Sequence, residues 1–459
     1  MSMKRVNPAT GETIETVDSH TDAEVDARLA AAHERYLAWR DVPMHERCEL
    51  LANAADVLRA NVEEYAGLMT REMGKPIAQA RGEVEKCAWV CEHYAEHAQS
   101  YLQDETLPSP PEAEAKVVHQ PLGVVLAVMP WNYPFWQVFR FAAPNLVAGN
   151  VGVLKHASNV PGCAEAIADV FERAGFPEDC FQALLVSGSR ANEVVEDERV
   201  RAVTLTGSEP AGRAVAETAG KELKKTVLEL GGSDPFVVLD DADLDAAVET
   251  GVRARLLNSG QSCIAAKRFI VHDAVYDEFL DAFVDAMRSQ TVGDPTDEAT
   301  DVGPQAREDL MHDLHDQVER SVQAGATVEC GGEPIEGDGY FYPPTVLTDV
   351  PPDAAAACEE TFGPVAAVFR VDSERDAVDL ANDSTLGLGA SVWTEDLERG
   401  ERIAREIDAG CAFVNELTKS DPRVPFGGVK DSGYGRELAA HGITEFVNEK
   451  TVWVQDAQD

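Results

Sequence analysis

The segment NSGQSCIAAKR, residues 258–268, leads through small polar residues and Gly260 to Cys263, and an apolar, basic stretch follows. A cysteine is most often a small buried hydrophobe. One reached through glycine and small polar side chains is open to a substrate, and its thiolate is a nucleophile. TVLELGGSDPF, residues 226–236, closes an apolar run on Glu229 shortly before Gly231 and Gly232. A carboxylate at the edge of an apolar pocket has a raised pKa and suits general-base work. VMPWNYPFWQVFR, residues 128–140, holds Asn132 between two prolines, where an amide N–H suits an oxyanion. LTGSEPAG, residues 205–212, reads as a strand end opening a helix whose free N–H groups suit a phosphate. LKHAS, residues 154–158, carries Lys155 to another strand end, where an ammonium could meet a ribose or phosphate. Each residue alone also has a plainer reading: a structural thiol, a solvated loop glutamate, a turn asparagine.

These groups need elements to hold them. Residues 21–104 predict helices: in AEVDARLAAAHERYLAW the apolar residues recur at helical spacing. From 123 onward, GVVLAVMP, VGVLKH, FQALLVSG, RAVTLTG and KTVLELGG are short Val- and Leu-rich runs that predict strands. Between them, 161–175 and 209–220 predict helices, with Pro161 and Pro210 suited to first turns. Strand, helix, strand in series implies an α/β fold with a parallel sheet and crossover helices. The alternation restarts after 235 with PFVVLDDAD, RFIVHD, a helix over 274–289 and strands near 327 and 365. TVWV near the C-terminus predicts a strand that pairs elsewhere in the fold or with a second subunit. LPSPPEAEA, residues 107–115, predicts a connection between units.

The chain has 459 residues, 44% hydrophobic and 26% charged, which suits a soluble globular protein with a large core. Its 82 acidic residues face only 39 basic ones, of which 12 are Lys, and the net charge is −43. Such a surface repels nucleic acid and anionic membranes, and salt screens its self-repulsion; the composition suits a halophile. The N-terminus lacks an apolar signal region, and residues 117–130 are too short and interrupted to span a bilayer, so a cytoplasmic location is expected. The nine cysteines show no CxxC spacing and no His-rich companion, so neither a metal nor a disulfide framework is expected.

Taken together, MPWNYP, LTGSEPAG, LELGG, GQSC, EETFGPV (359–365) and PFGGVKDSGYGRE (425–437) resemble the aldehyde dehydrogenase superfamily in order and spacing over essentially the whole chain. The short N-terminus and NELTKSDPRVPFGGVKDSGYGREL resemble the shorter-type succinate-semialdehyde dehydrogenases. No GxGxxG fingerprint is present. The resemblance implies a Rossmann-type cofactor domain (1–113 and 128–229), an α/β catalytic domain (230–425) and a small β oligomerisation element (114–127 and 430–459), with a homodimer or homotetramer as the assembly. It implies Cys263 as nucleophile, Asn132 with the Cys263 backbone N–H as oxyanion hole, and Glu229 as the base for thioester hydrolysis. For the cofactor it implies Trp131, Lys155, Ser158, Gly207, Ser208, Glu360 and Phe362. Many NAD-preferring relatives carry Glu where this chain has Ser158. A carboxylate repels a 2′-phosphate and a serine donates to it, so NADP as well as NAD is expected as cofactor. Phe141 stands where many relatives have Lys.

Arg140, eight residues after Asn132, matches the arginine that binds the remote carboxylate in the resembling enzymes, which implies succinic semialdehyde as substrate. A structural ion pair is its plainer reading. Ser420 and Arg423, in the loop before PFGG, are further candidates for the substrate tail. The alternatives are a neutral or broad-range aldehyde such as glycolaldehyde, a phosphorylating dehydrogenase that would not need Glu229, and a non-catalytic structural protein on the same fold.

Overall fold

The structure, a computed structural model, describes residues 2–455. Helices Asp22–Trp39, Met44–Ala60, Val62–Met73 and Ile77–Tyr101 form the N-terminal layer. Thr21 and Glu24 cap the first reciprocally, so two backbone donors at its start are satisfied. In Ile77–Tyr101, Ala80, Val84, Cys87, Cys91, Tyr94 and Ala98 are buried. That spacing of three and four puts them on one stripe against the core.

A six-stranded sheet takes the order Gly433–Tyr434, Lys225–Glu229, Val200–Thr206, Val124–Met129, Val151–His156, Phe181–Ala183. All its pairs are parallel except that of Gly433–Tyr434 with Lys225–Glu229. Parallel strands buried on both faces must be apolar throughout, which is why these runs do not alternate. Chain order reverses between Val124–Met129 and Val200–Thr206, and a crevice for a ligand forms outside the carboxyl ends of strands at such a reversal. The Pro130–Asn132 turn and Gly207–Ser208 leave those two strands side by side.

A second, seven-stranded sheet has the order Thr327–Cys330, Thr345–Thr348, Val365–Val371, Ala266–His272, Asp234–Val238, Gly389–Trp393, Cys411–Val414. Cys263 lies in the segment that enters its strand Ala266–His272. Val447–Gln455, Ala113–Pro121 and Glu105–Leu107 make a three-stranded antiparallel sheet. Glu105–Leu107, assigned from sequence to the cofactor unit, thus joins the β element, and Gly433–Tyr434, assigned to the β element, joins the cofactor sheet. The Pro-rich 107–115 stretch is the hairpin between two of these strands rather than a connection between units.

Candidate active site

The backbone before Cys263 takes an uncommon path. Asn258, Ser259 and Gly260 all have left-handed φ, of 58°, 56° and 75°. A β-carbon on Gly260 would run into the backbone of Gly363, so only glycine fits. Non-glycine residues hold such angles where their surroundings over-determine them. Here the Asn258 backbone N–H donates to Gln79 Oε1 (2.7 Å), and its Nδ2 donates to the carbonyls of Asn132 (2.8 Å) and Gln261 (3.0 Å). Ser259 Oγ accepts from Gly303 N (2.9 Å), and Arg255 Nη2 donates to the Gly260 carbonyl (2.7 Å). On the far side, the buried Lys267 Nζ donates to the carbonyls of Ser262 (2.8 Å) and Cys263 (2.7 Å). The segment is braced at both ends, and Cys263 stays partly open.

Two cavities meet at this cysteine. One, of about 250 Å³, is lined by Trp131, Asn132, Gly207, Ser208, Glu360 and Phe362 among others. The other, of about 280 Å³, runs past Tyr133, Trp136, Arg140, Ser420 and Phe426. Cys263 and Gln137 line both, and no other cysteine lines either. Asn132 is buried, and its Nδ2 donates to the Gln261 carbonyl (3.1 Å). An amide nitrogen has two hydrogens, so one is left for an oxyanion.

Burial pushes the Cys263 thiol up to about 12, while Arg140 and Lys267 pull the other way by favouring the thiolate. Attack on a carbonyl therefore requires a proton acceptor or added positive charge. Glu229 ends its strand 2% exposed, and neither of its carboxylate oxygens has a hydrogen-bond partner. Burial, and the like charge of Glu437, raise its pKa well above the ordinary carboxylate range. Glu437 is itself buried and raised, with the guanidinium of Arg140 paired to it. Arg140 Nη2 also donates to Thr206 Oγ1 (3.1 Å), and its guanidinium carbon lies 5.1 Å from the Phe426 ring centre.

The residues expected from sequence divide four ways, and Glu229, buried at the end of its strand, lines neither cavity. Cys263, Asn132, Trp131, Gly207, Ser208, Glu360 and Phe362 come together around the first cavity, and Arg140 and Ser420 line the second. Lys155, buried, and Ser158 sit at the carboxyl end of the next strand, outside the cavity that Cys263 lines. Arg423 is a correction. It is exposed, bound to Asp421 at 2.6 Å and set 5.4 Å from the Trp89 ring centre, so it does not reach the substrate cavity. Its sequence neighbour Asp421 holds it because a planar guanidinium and a carboxylate two residues away close a local bidentate pair. Arg140 faces its cavity inside an ion pair, not as a free cation. The sequence alone does not single out Gln137, Glu437, Lys267, Lys75 or Lys86. The spacing of Gln79, Glu83 and Lys86 could have marked one polar helix face.

The lining of the first cavity suits the pyrophosphate and nicotinamide-ribose part of a dinucleotide. The helix Glu209–Lys221 opens on Ser208 with no side-chain cap, leaving first-turn N–H groups free for a phosphate. Trp131 and Phe362 meet edge to face at 5.7 Å along the wall. Glu360 accepts from Gly232 N (3.1 Å) and lies 3.4 Å from Lys267, so its carboxylate is oriented beside the cavity. The chain belongs to the aldehyde dehydrogenase family, which it matches over residues 1–452. It is 54% identical over 454 residues to a probable NADP(+) succinate-semialdehyde dehydrogenase of Synechocystis, spanning 99% of this chain and 100% of that one. It is 53% identical over 461 residues to an NADP(+) succinate-semialdehyde dehydrogenase of Mycobacterium tuberculosis, spanning 99% and 100%. The solved succinic semialdehyde dehydrogenase of Streptococcus pyogenes, in complex with NADP+, superimposes with a TM-score of 0.96 at 39% identity, covering 99% of this chain and 100% of that one.

Proposed function

We propose that this chain oxidises succinic semialdehyde to succinate with NADP as the favoured hydride acceptor. The observation that carries the substrate reading is a reversal of charge. In a chain with 82 acidic and 39 basic residues, the cavity beyond Cys263 is lined by five cations, Lys75, Lys86, Arg140, Arg253 and Lys419, and one carboxylate, Glu83. Three of the 12 lysines are in it. Long-range steering of an anion by this protein is unfavourable, so recognition must be local.

In this reading the aldehyde carbon meets the Cys263 sulfur where the two cavities join. The oxyanion is held by the free Asn132 N–H and the Cys263 backbone N–H. Bound cofactor supplies the acceptor for the hydride that leaves the thiohemiacetal carbon. Glu229 then takes a proton from water, which hydrolyses the Cys263 thioester and releases the carboxylate. Lys155 and Ser158 would hold the adenosine ribose, and Glu360 the nicotinamide ribose. The test is kcat/KM for succinic semialdehyde against an uncharged aldehyde of similar length. A preference for the anion of tenfold or more is expected, and no preference would leave a neutral-aldehyde dehydrogenase as the reading.

Ser158→Glu should lower kcat/KM with NADP by roughly 10- to 100-fold, from repulsion of the 2′-phosphate in a partly dry site. NAD turnover should persist. An unchanged NADP-to-NAD ratio would remove Ser158 from cofactor choice. For assembly we infer a homodimer or homotetramer in the cytoplasm, supported by Trp453 and Val454, about half exposed on the outer strand of the three-stranded sheet. A monomeric mass by light scattering would refute the oligomer.

A further inference from the structure

The strand Ala266–His272 pairs on both sides inside the seven-stranded sheet, where apolar residues belong, yet its second residue is Lys267, 1% exposed. A buried ammonium persists only where its charge and its three hydrogens are met. Lys267 Nζ donates to the carbonyls of Ser262 (2.8 Å) and Cys263 (2.7 Å) and lies 3.4 Å from Glu360 Oε1. The turn after Glu229 packs against the same groups. A β-carbon on Gly232 would strike the Cys263 carbonyl oxygen, and one on Gly231 the Glu360 carboxylate. Glycine at both positions lets the turn close on the nucleophile's segment.

The Ser262 carbonyl and the Cys263 N–H belong to one peptide unit. A trans peptide is planar, so its C=O and N–H point opposite ways and cannot turn independently. An ammonium fixed on the carbonyl therefore fixes the aim of the N–H. It also draws electrons toward that oxygen, which strengthens the N–H as a donor. Ala265 N–H donates to the same Ser262 carbonyl (3.2 Å), so the oxygen is held from two sides. The Cys263 N–H itself donates to no protein acceptor among the described residues. The other charged groups beneath the cysteine are occupied with backbone: Asp234 Oδ1 accepts from Gly389 N (3.0 Å), and Arg255 Nη2 donates to the Gly260 carbonyl (2.7 Å). Lys267 favours the Cys263 thiolate less than Arg140 does. Its closest contacts are with the backbone, and it lines neither cavity.

We propose that Lys267 is a positioning residue of the oxyanion hole, which through the Ser262–Cys263 peptide aims and polarises the Cys263 N–H at the oxygen of the attacked aldehyde. This rests on the reading of Cys263 as nucleophile and of its N–H as an oxyanion donor. The other donor, the Asn132 amide, is braced separately, on the Gln261 carbonyl (3.1 Å), so the two donors have different supports.

The test sets two reactions of the same sulfur side by side on the full-length enzyme. Single-turnover formation of NADPH, with enzyme in excess over aldehyde, passes through the oxyanion. Alkylation of Cys263 by iodoacetamide, followed by the mass of the peptide that carries it, does not. In Lys267→Met the first should slow roughly 10- to 100-fold more than the second. The excess loss should be equal on succinic semialdehyde and on an uncharged aldehyde of similar length, because both present the same carbonyl. NADPH affinity should be little changed. Lys267→Arg, which keeps the charge and the donors, should recover most of the loss. If a melting curve shows that Lys267→Met does not fold, Lys267→Gln, a neutral donor to the two carbonyls, gives the same reading with a smaller excess. Equal losses in the two reactions would overturn the proposal and leave Lys267 as a support of the thiol alone. A loss confined to NADPH binding would overturn it in favour of a role through Glu360. Single-turnover NADPH from Cys263→Ala at the wild-type rate would refute the nucleophile reading itself, and this proposal with it.

Discussion

Cys263→Ala is expected to abolish aldehyde oxidation, with a loss of 10⁴-fold or more, on the order of what removal of a covalent nucleophile costs. The expectation rests on position. The other eight cysteines line neither cavity, so none could take over the attack. The left-handed turn at 258–260, braced by Gln79, Asn132 and Gly303, delivers the sulfur to the junction between cation-lined and cofactor-side space. An alanine there removes the sulfur and disturbs none of those bonds, so cofactor binding should persist. A steady-state assay with a fluorescence titration of NADPH checks both halves. Residual turnover within tenfold of wild type would mean that Cys263 is not the nucleophile.

Glu229→Gln should give one equivalent of reduced cofactor in a rapid burst and then stall, with steady-state turnover lowered roughly 10²- to 10⁴-fold. The first half-reaction ends at the thioester, and the amide cannot take the proton from water. Stopped-flow absorbance separates the phases; steady turnover near the wild-type rate would assign the base elsewhere. The pH dependence has a definite sign. Burial and Glu437 hold the carboxyl neutral well above the ordinary range, and only the ionised form is a base. Wild-type turnover should therefore rise with pH through a limb above the ordinary carboxylate range. Stability runs the opposite way. A carboxylate whose folded pKa is raised costs stability as pH climbs from its unfolded to its folded value. Glu229→Gln should accordingly narrow the loss of melting temperature toward alkaline pH.

Much of this protein is legible in the sequence because its signals are local. Parallel strands buried on both faces must be runs of Val and Leu, so GVVLAVMP, VGVLKH and RAVTLTG could be read as strands without coordinates. Turn chemistry is local too: Asn132 between prolines, Gly260 before Cys263, and Ser208 with Pro210 at a helix start mark the places where the backbone must present groups to a ligand. Charge relations across the fold are not local. Arg140 and Glu437 lie 297 residues apart, and nothing in either segment announces that the guanidinium is taken. Arg423 looks like a substrate contact until the neighbouring Asp421 is seen to close on it. Lys86 looks like one more solvated lysine on an amphipathic helix. Only packing against Trp136 and Ser420, while the surrounding acids are bound by other cations, leaves it inside the cavity with no carboxylate paired to it among the described residues. Composition sets how many charges a chain carries, but the tertiary structure decides which remain unpaired, because pairing depends on distances of a few ångströms between side chains from different elements.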